Sequence, residues 1–194
     1  MTPPDSDTRA ELDRLLQQCG RGDQGAFAEL YRRTSPRLFA LCLRMLRDRG
    51  TAEDVLQDSF VTVWRRASTF DATRGSAISW LITLTRNRAI DRLRAQRETA
   101  LDPLTTLDYA AGKAVEDSTG DGLSPAAAAE GTQESGRLQR CLEELDPHPQ
   151  RSIREAFFSG ATYNELARRS NVPLGTMKSW IRRGLLQLRK CLEQ

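Results

Sequence analysis

Five polar residues crowd one short stretch near the C-terminus: Thr176, Lys178, Ser179, Arg182 and Arg183. Two hydroxyls, an ammonium and two guanidiniums make a dense set of hydrogen-bond donors, which suits a polyanion. Ser and Thr hydroxyls reach phosphate oxygens or base edges, and Arg pairs bidentately with guanine. At 100° per residue, Met177, Ile181, Leu185, Leu188 and Leu192 fall within about 80° of one another. Thr176, Ser179, Arg183 and Lys190 lie opposite, with Arg182 beside them. The stretch therefore reads as a helix with an apolar back and a donor-rich front. A solvated basic surface would show the same pattern, so the residues before the helix matter. They read as a short helix, Tyr163 to Ser170, then Asn171-Val172-Pro173. Short helix, tight turn and longer basic helix form a helix-turn-helix, which lays its second helix in a major groove. Asn171 tolerates the left-handed backbone that such a turn needs. Thr162 with Glu165 spells a capping box for the first helix.

A second cluster lies on a helix expected over 77–97. Trp80, Leu84, Asn87 and Asp91 follow one another at i, i+4, i+7 and i+11. Arg86, Arg88, Arg92, Arg94 and Arg97 crowd the same helix, and Ile78, Ile82, Ala89 and Leu93 form the stripe expected in the core. The loop before it carries Phe70 and Arg74. An aromatic-bearing loop beside a basic helix with one carboxamide suits a splayed single-stranded base, stacked on a ring and read on its edge. A packed core aromatic is the competing role for Trp80. A third group, Asp54, Gln57 and Asp58, lies on a helix expected over 52–67. The two carboxylates are four residues apart and share a face. Leu56, Phe60, Val63, Trp64 and Ala67 take the other. A buried, unpaired carboxylate would cost several kcal/mol, so Asp54 and Asp58 face water or a partner.

The elements that must carry these groups are helical throughout. No alternating β-branched run and no Asn-Gly or Asp-Gly hairpin appears. Helices are expected at about 8–18, 24–34, 37–47, 52–67 and 77–97, then at 125–145, 148–158, 163–170 and 175–192. Pro36 separates the second from the third. Thr51 and Ser76 are the expected N-caps of the fourth and fifth, and Ser124-Pro125 opens the sixth. Charge divides the chain in the same way. Residues 20–98 hold 15 basic and 9 acidic groups, residues 124–194 hold 11 and 8, and residues 99–123 hold 1 and 5. The acidic stretch, rich in Thr, Asp, Gly and Ala, reads as a flexible linker. The expected fold is therefore all-α, with two helical domains at 20–98 and 124–194 joined by the linker 99–123. The C-terminal domain carries the helix-turn-helix.

Composition excludes much else. His148 is the only histidine of 194 residues, and Cys19, Cys42, Cys141 and Cys191 form no CxxC pair. A zinc centre, a redox pair and a Ser-His hydrolase are not written here, and no cofactor or small-molecule substrate is implied. The four cysteines read as free buried thiols of a reducing compartment. No apolar run approaches the ~20 residues of a membrane span, and residues 1–18 lack a signal-peptide core, so the cytoplasm is the expected location.

Val172-Pro173-Leu174-Gly175-Thr176-Met177-Lys178-Ser179-Trp180-Ile181-Arg182-Arg183 resembles the promoter-reading segment of bacterial sigma factors of the extracytoplasmic-function group. Tyr163-Asn164-Glu165-Leu166-Ala167 resembles that family's first helix of the motif. Gly22-Asp23 through Phe27 with Leu30-Tyr31, the segment Glu53 to Phe60, and Ser79-Trp80-Leu81 to Arg92 resemble the family's N-terminal module, in order and spacing. Asn171, Trp180, Leu84-Thr85 and Asp146-Pro147-His148-Pro149 depart from the family's usual residues. The resemblance implies a non-enzymatic factor that binds core RNA polymerase and promoter DNA. It implies that Asp54, Gln57, Asp58 and Phe60 grip the β′ clamp. It assigns Phe70, Arg74, Trp80, Asn87, Arg88 and Asp91 to the melted −10 strand. It assigns Thr176, Lys178, Ser179, Arg182 and Arg183 to the −35 duplex. An anti-sigma factor, often membrane-anchored in this family, is the further implied partner. A stand-alone helix-turn-helix regulator and a sigma-mimicking adaptor stay open on the residues alone.

Overall fold

The computed structural model describes residues 4–100 and 132–193, with side chains over 8–97 and 136–193. Beyond its first two residues, the expected linker lies outside this range, as does the helix start at Ser124-Pro125. The described residues are helical and contain no strand. The chain divides into two units, Met1–Leu123 and Ser124–Gln194.

In the first unit, α1 (Pro4–Cys19), α2 (Gln24–Leu46), α3 (Arg49–Arg66) and α4 (Ala77–Ala100) pack together, with a 3₁₀ turn at Ala67–Thr69 after α3. The core is built from Leu12 and Leu16 of α1, Leu30 and Leu38 of α2, Phe60 and Val63 of α3, and Ala77 and Leu81 of α4. α2 runs unbroken through Pro36, where two helices were expected. Proline removes one helical donor. Buried Thr34 and Leu38 flank it, and packing against α1, α3 and α4 holds both halves in line. α3 starts three residues earlier than expected. Its cap is Asp48, not Thr51: the Asp48 carboxylate accepts from the Thr51 backbone N–H at 2.7 Å. Those bonds hold the Asp48 carboxyl below its usual range.

The start of α4 is held from a distance. Asp13, on α1, accepts from the backbone N–H of Ala77 at 2.5 Å across 64 residues. Ser76, the expected cap, contributes a longer bond of 3.4 Å from Ser79 N–H. At the end of α1, a Cβ on Gly20 would stand 3.0 Å from the backbone of Ala67, so a side chain here would push the two segments apart by a few tenths of an ångström. Arg33 ties α1 to α2 by bridging Glu11, at 2.7 Å, and Glu29. Hydrogen bonds from Arg32 and Arg33 pull the Glu29 carboxyl down to about 2.

The buried line of α4 differs from the expected stripe. Ala77, Leu81, Thr85, Ala89 and Ile90 are buried, while Ile78 and Ile82 are only partly covered. The helix packs on α1, α2 and α3, so its buried arc is wider and turned from the one that apolar residues alone suggest. Thr85 is fully buried, and its hydroxyl has no hydrogen-bond partner among the described residues. An unmade hydrogen bond in the interior costs ~1–3 kcal/mol. Thr85→Val keeps the shape and removes the hydroxyl. It should stabilise the unit by ~1 kcal/mol, seen as a higher urea midpoint at unchanged slope.

The second unit comprises α5 (Thr132–Glu143), α6 (Pro147–Ser159), α7 (Tyr163–Arg169) and α8 (Leu174–Glu193). Pro147 occupies the first turn of α6 after Asp146, and Gly160 ends it at φ 62°. Ala161, Leu166, Ala167, Met177 and Ile181 form the core, with Ile153, Ala156 and Val172 packed on it. The back of α8 is not the straight leucine stripe expected. Leu185 is 46% exposed, and Gly184 takes its place inside. A Cβ on Gly184 would lie 2.7 Å from Ile153 Cδ1 and 2.9 Å from Pro149 Cβ. The glycine is thus the point where α8 presses on α6.

One expectation is overturned outright. Cys141 of α5 and Cys191 of α8 form a disulfide, with Cα atoms 5.8 Å apart. Fifty residues separate them, so no spacing rule brings them together. The packing of α5 on α8 does. Cys19 and Cys42 are free and buried, and burial pushes both thiols up to about 11. Among the described residues no helix is long and apolar enough to cross a membrane.

Candidate nucleic-acid interface

α8 is presented by a turn held by capping and backbone hydrogen bonds. Thr162 accepts from Glu165 N–H while the Glu165 carboxylate accepts from Thr162 N–H at 2.6 Å, fixing the start of α7. Asn171 adopts φ 51°, and Val172 N–H then donates to Ala167 C=O at 3.0 Å, turning the chain into α8. Met177 and Ile181 anchor the back of α8. Its front shows Lys178, Ser179, Arg182 and Arg183 exposed and Thr176 half-buried. Thr176, Ser179 and Arg183 (i, i+3, i+7) make one row, and Lys178 and Arg182 (i, i+4) flank it. Arg183 Nε reaches back to Ser179 C=O at 3.4 Å, so the guanidinium lies along the row. A row of hydroxyl and cationic donors on a helix near its N-terminus is suited to a phosphate-lined groove. Trp180 borders the row. It is half-buried, and His148 stacks on it with ring centroids 4.7 Å apart and planes 16° apart.

In the first unit, the structure brings Phe70 and Trp80 together edge to face, 6.2 Å between centroids. Both pack on the core and keep part of their surface in solvent. Asp71 builds the loop between them: its carboxylate accepts from Thr73 N–H at 2.9 Å and from the Thr73 hydroxyl at 2.7 Å. Those bonds hold the Asp71 carboxyl below its usual range. Arg74 stands exposed at the end of this turn. Asn87 and Asp91 lie one turn apart on the open face of α4. Arg88 is not a loose cation. It donates to the Thr62 hydroxyl at 2.9 Å, and that hydroxyl donates to Asp58 C=O at 2.9 Å. Thr62, on the same helix face as Asp54 and Asp58, is buried where this link forms.

Asp54, Gln57 and Asp58 are exposed along α3. Phe60 is not with them. It is 4% exposed and floors a groove of about 820 Å³ between α2 and α3. Tyr31 and Phe27 of α2 tilt against Phe60 and Trp64, with the Tyr31–Phe60 centroids 4.6 Å apart and Phe27–Trp64 5.2 Å. Tyr31, Val61 and Trp64 keep 45%, 45% and 37% of their surface open, which makes this rim apolar and wet. Sequence reasoning placed Trp64 in the core and passed over Val61. The available signal was Val61 beside Trp64, two bulky apolar residues too many for one helix face.

Comparison with known proteins follows the same division. Residues 30–99 match the family described as Sigma-70 region 2. Residues 135–188 match Sigma-70, region 4. The chain is 37% identical over 184 residues to the ECF RNA polymerase sigma factor SigK of Mycobacterium tuberculosis H37Rv, covering 95% of each chain. It is 37% identical over 183 residues to SigK of Mycobacterium ulcerans, covering 94% of each. Among solved structures, it is 29% identical to SigE of Rhodobacter sphaeroides, crystallised with the anti-sigma ChrR. That match has a TM-score of 0.48 and covers 96% of this chain and 99% of the other.

Proposed function

Because the chain belongs to the extracytoplasmic-function group of RNA polymerase sigma factors, we propose a division of labour between its two units. The first binds core polymerase through α3 and holds the melted −10 strand on α4. The second reads the −35 duplex with α8. The chain itself catalyses nothing; it selects where polymerase starts, within the cytoplasm. The observation that carries this reading is the donor row of Thr176, Ser179 and Arg183, exposed on a helix whose back is pinned by Met177 and Ile181. A row held this rigidly meets base edges in register, which a mobile basic patch does not.

Family membership supports an anti-sigma factor as a further partner, and the wet apolar rim of Tyr31, Val61 and Trp64 supports a helical partner on the first unit. Core polymerase and an anti-sigma factor would compete for such a rim. Run-off transcription with purified core polymerase and a promoter library tests the assignment. The chain should yield transcripts from a narrow set of promoters. DNA binding without any polymerase-dependent transcript would favour a stand-alone regulator.

The −10 assignment carries its own expectation. Asn87→Ala removes one carboxamide from an exposed face and no packing. Open-complex formation should fall about tenfold, the size of one good base-edge contact. Permanganate reactivity of the melted strand measures it. Unchanged melting would make Asn87 a bystander.

A further inference from the structure

His148 has no part in the assignments above, yet its surroundings give it one. It stands at the start of α6, exposed, between Pro147 and Pro149. Its ring lies nearly parallel to the Trp180 indole at 4.7 Å. Its carbonyl accepts from the buried Ser152 hydroxyl at 2.8 Å, which fixes this first turn. One turn further along α8, Pro149 and Ile153 close on Gly184. The first turns of α6 therefore touch α8 at Trp180 and at Gly184, four residues apart on one side of the helix.

The angular position of Trp180 matters most. On α8 it falls about 40° from Thr176 and about 60° from Arg183 on one side, and about 40° from Gly184 on the other. It is the seam between the donor row and the packed back. A ring at a seam has two places to go: against α6, or outward across Thr176 and Arg183. The flat imidazole, held by two prolines, offers it the first.

We propose that His148 is a positioning residue for −35 readout. By stacking on Trp180 it keeps the indole off the donor row and sets the rotation of α8, and so determines specificity without touching DNA. This rests on the reading of α8 as the −35 helix.

The test uses holoenzyme, assembled from core polymerase and the full chain, on a promoter fragment recovered from the run-off library. Fragments with single-base changes in the −35 word, and one with that word scrambled, complete the set. His148→Ala should weaken the cognate fragment by about three- to tenfold, the range expected for loss of one aromatic pair. Affinity for the scrambled fragment should stay, so discrimination between words falls. His148→Phe, flat but unable to hydrogen-bond, should restore both to within about twofold. In a Trp180→Leu background the His148→Ala effect should vanish, as required of two residues acting through one contact. Because His148 is the only histidine, its ring protons give one resolved pair of NMR signals in the free chain. The indole should shift them upfield, and Trp180→Leu should abolish the shift.

Two results overturn the proposal. One is a His148→Ala holoenzyme that discriminates as well as wild type. The other is failure of His148→Phe to rescue, with the salt slope of binding reduced by about one; that would make His148 a phosphate contact instead. Failure of wild-type holoenzyme to prefer the cognate −35 word over the scrambled one would instead remove the reading of α8 itself, and this proposal with it.

Discussion

Core RNA polymerase should bind the Asp54→Lys/Asp58→Lys chain at least about tenfold more weakly than the wild-type chain. Both carboxylates are exposed on α3, and neither takes part in an ion pair among the described residues. Reversing them leaves the core beneath untouched, so helicity and unfolding midpoint should change by no more than ~0.5 kcal/mol. Exposed ion pairs in water are worth little, but pairs desolvated in an interface couple by ~1.5 kcal/mol or more. Two reversals replace two attractions with two repulsions. The deficit should grow as salt is lowered, because repulsion is then unscreened. Fluorescence titration against core polymerase at two salt concentrations measures it. Wild-type affinity in the double variant would remove α3 from the polymerase contact and leave the apolar rim to another partner.

Cutting the Cys141–Cys191 bond should be the largest single blow to the second unit. The bond closes a loop of 50 residues that contains α6, α7 and nearly all of α8. Cross-links over such loops typically add ~2–4 kcal/mol by restricting the unfolded chain. For a unit of this size that is a fall in melting temperature on the order of 10 °C. Cys191→Ser, or the wild type in dithiothreitol, should show it by calorimetry, with the first unit's transition unmoved. A thiol count under denaturing conditions should give two per oxidised chain, from Cys19 and Cys42, and four after reduction. Four thiols before reduction, or an unmoved transition, would contradict the pairing.

Local rules made some elements readable in the sequence. The capping box at Thr162–Glu165 and the left-handed Asn171 follow from single residues acting on their own backbone. So does the front of α8, because its donors must face water whichever way the helix packs. Features set by distant partners were not readable. Pro36 looked like a break because its neighbours across the bundle are invisible from its own segment. Thr62, which shares a helix face with Asp54 and Asp58, is buried because α4 lies against α3 and brings Arg88 to it. Gly184 replaced Leu185 inside because α6 approaches too closely for a side chain there. The disulfide is the extreme case: two cysteines fifty residues apart meet only once the unit has formed.

The bond from Asp13 to Ala77 sets an order of events during synthesis. The residue that caps α4 leaves the ribosome 64 residues before the backbone group it serves. At 5–20 residues per second that is a wait of roughly 3 to 13 s. Throughout it Leu12 and Leu16, both core residues of the finished unit, have no α4 to cover them. During that interval these apolar side chains are exposed, a surface suited to whatever shields apolar segments at the exit tunnel. Because α4 emerges after α1, α2 and α3, the Asp13–Ala77 bond can form only once all four helices of this unit have been made.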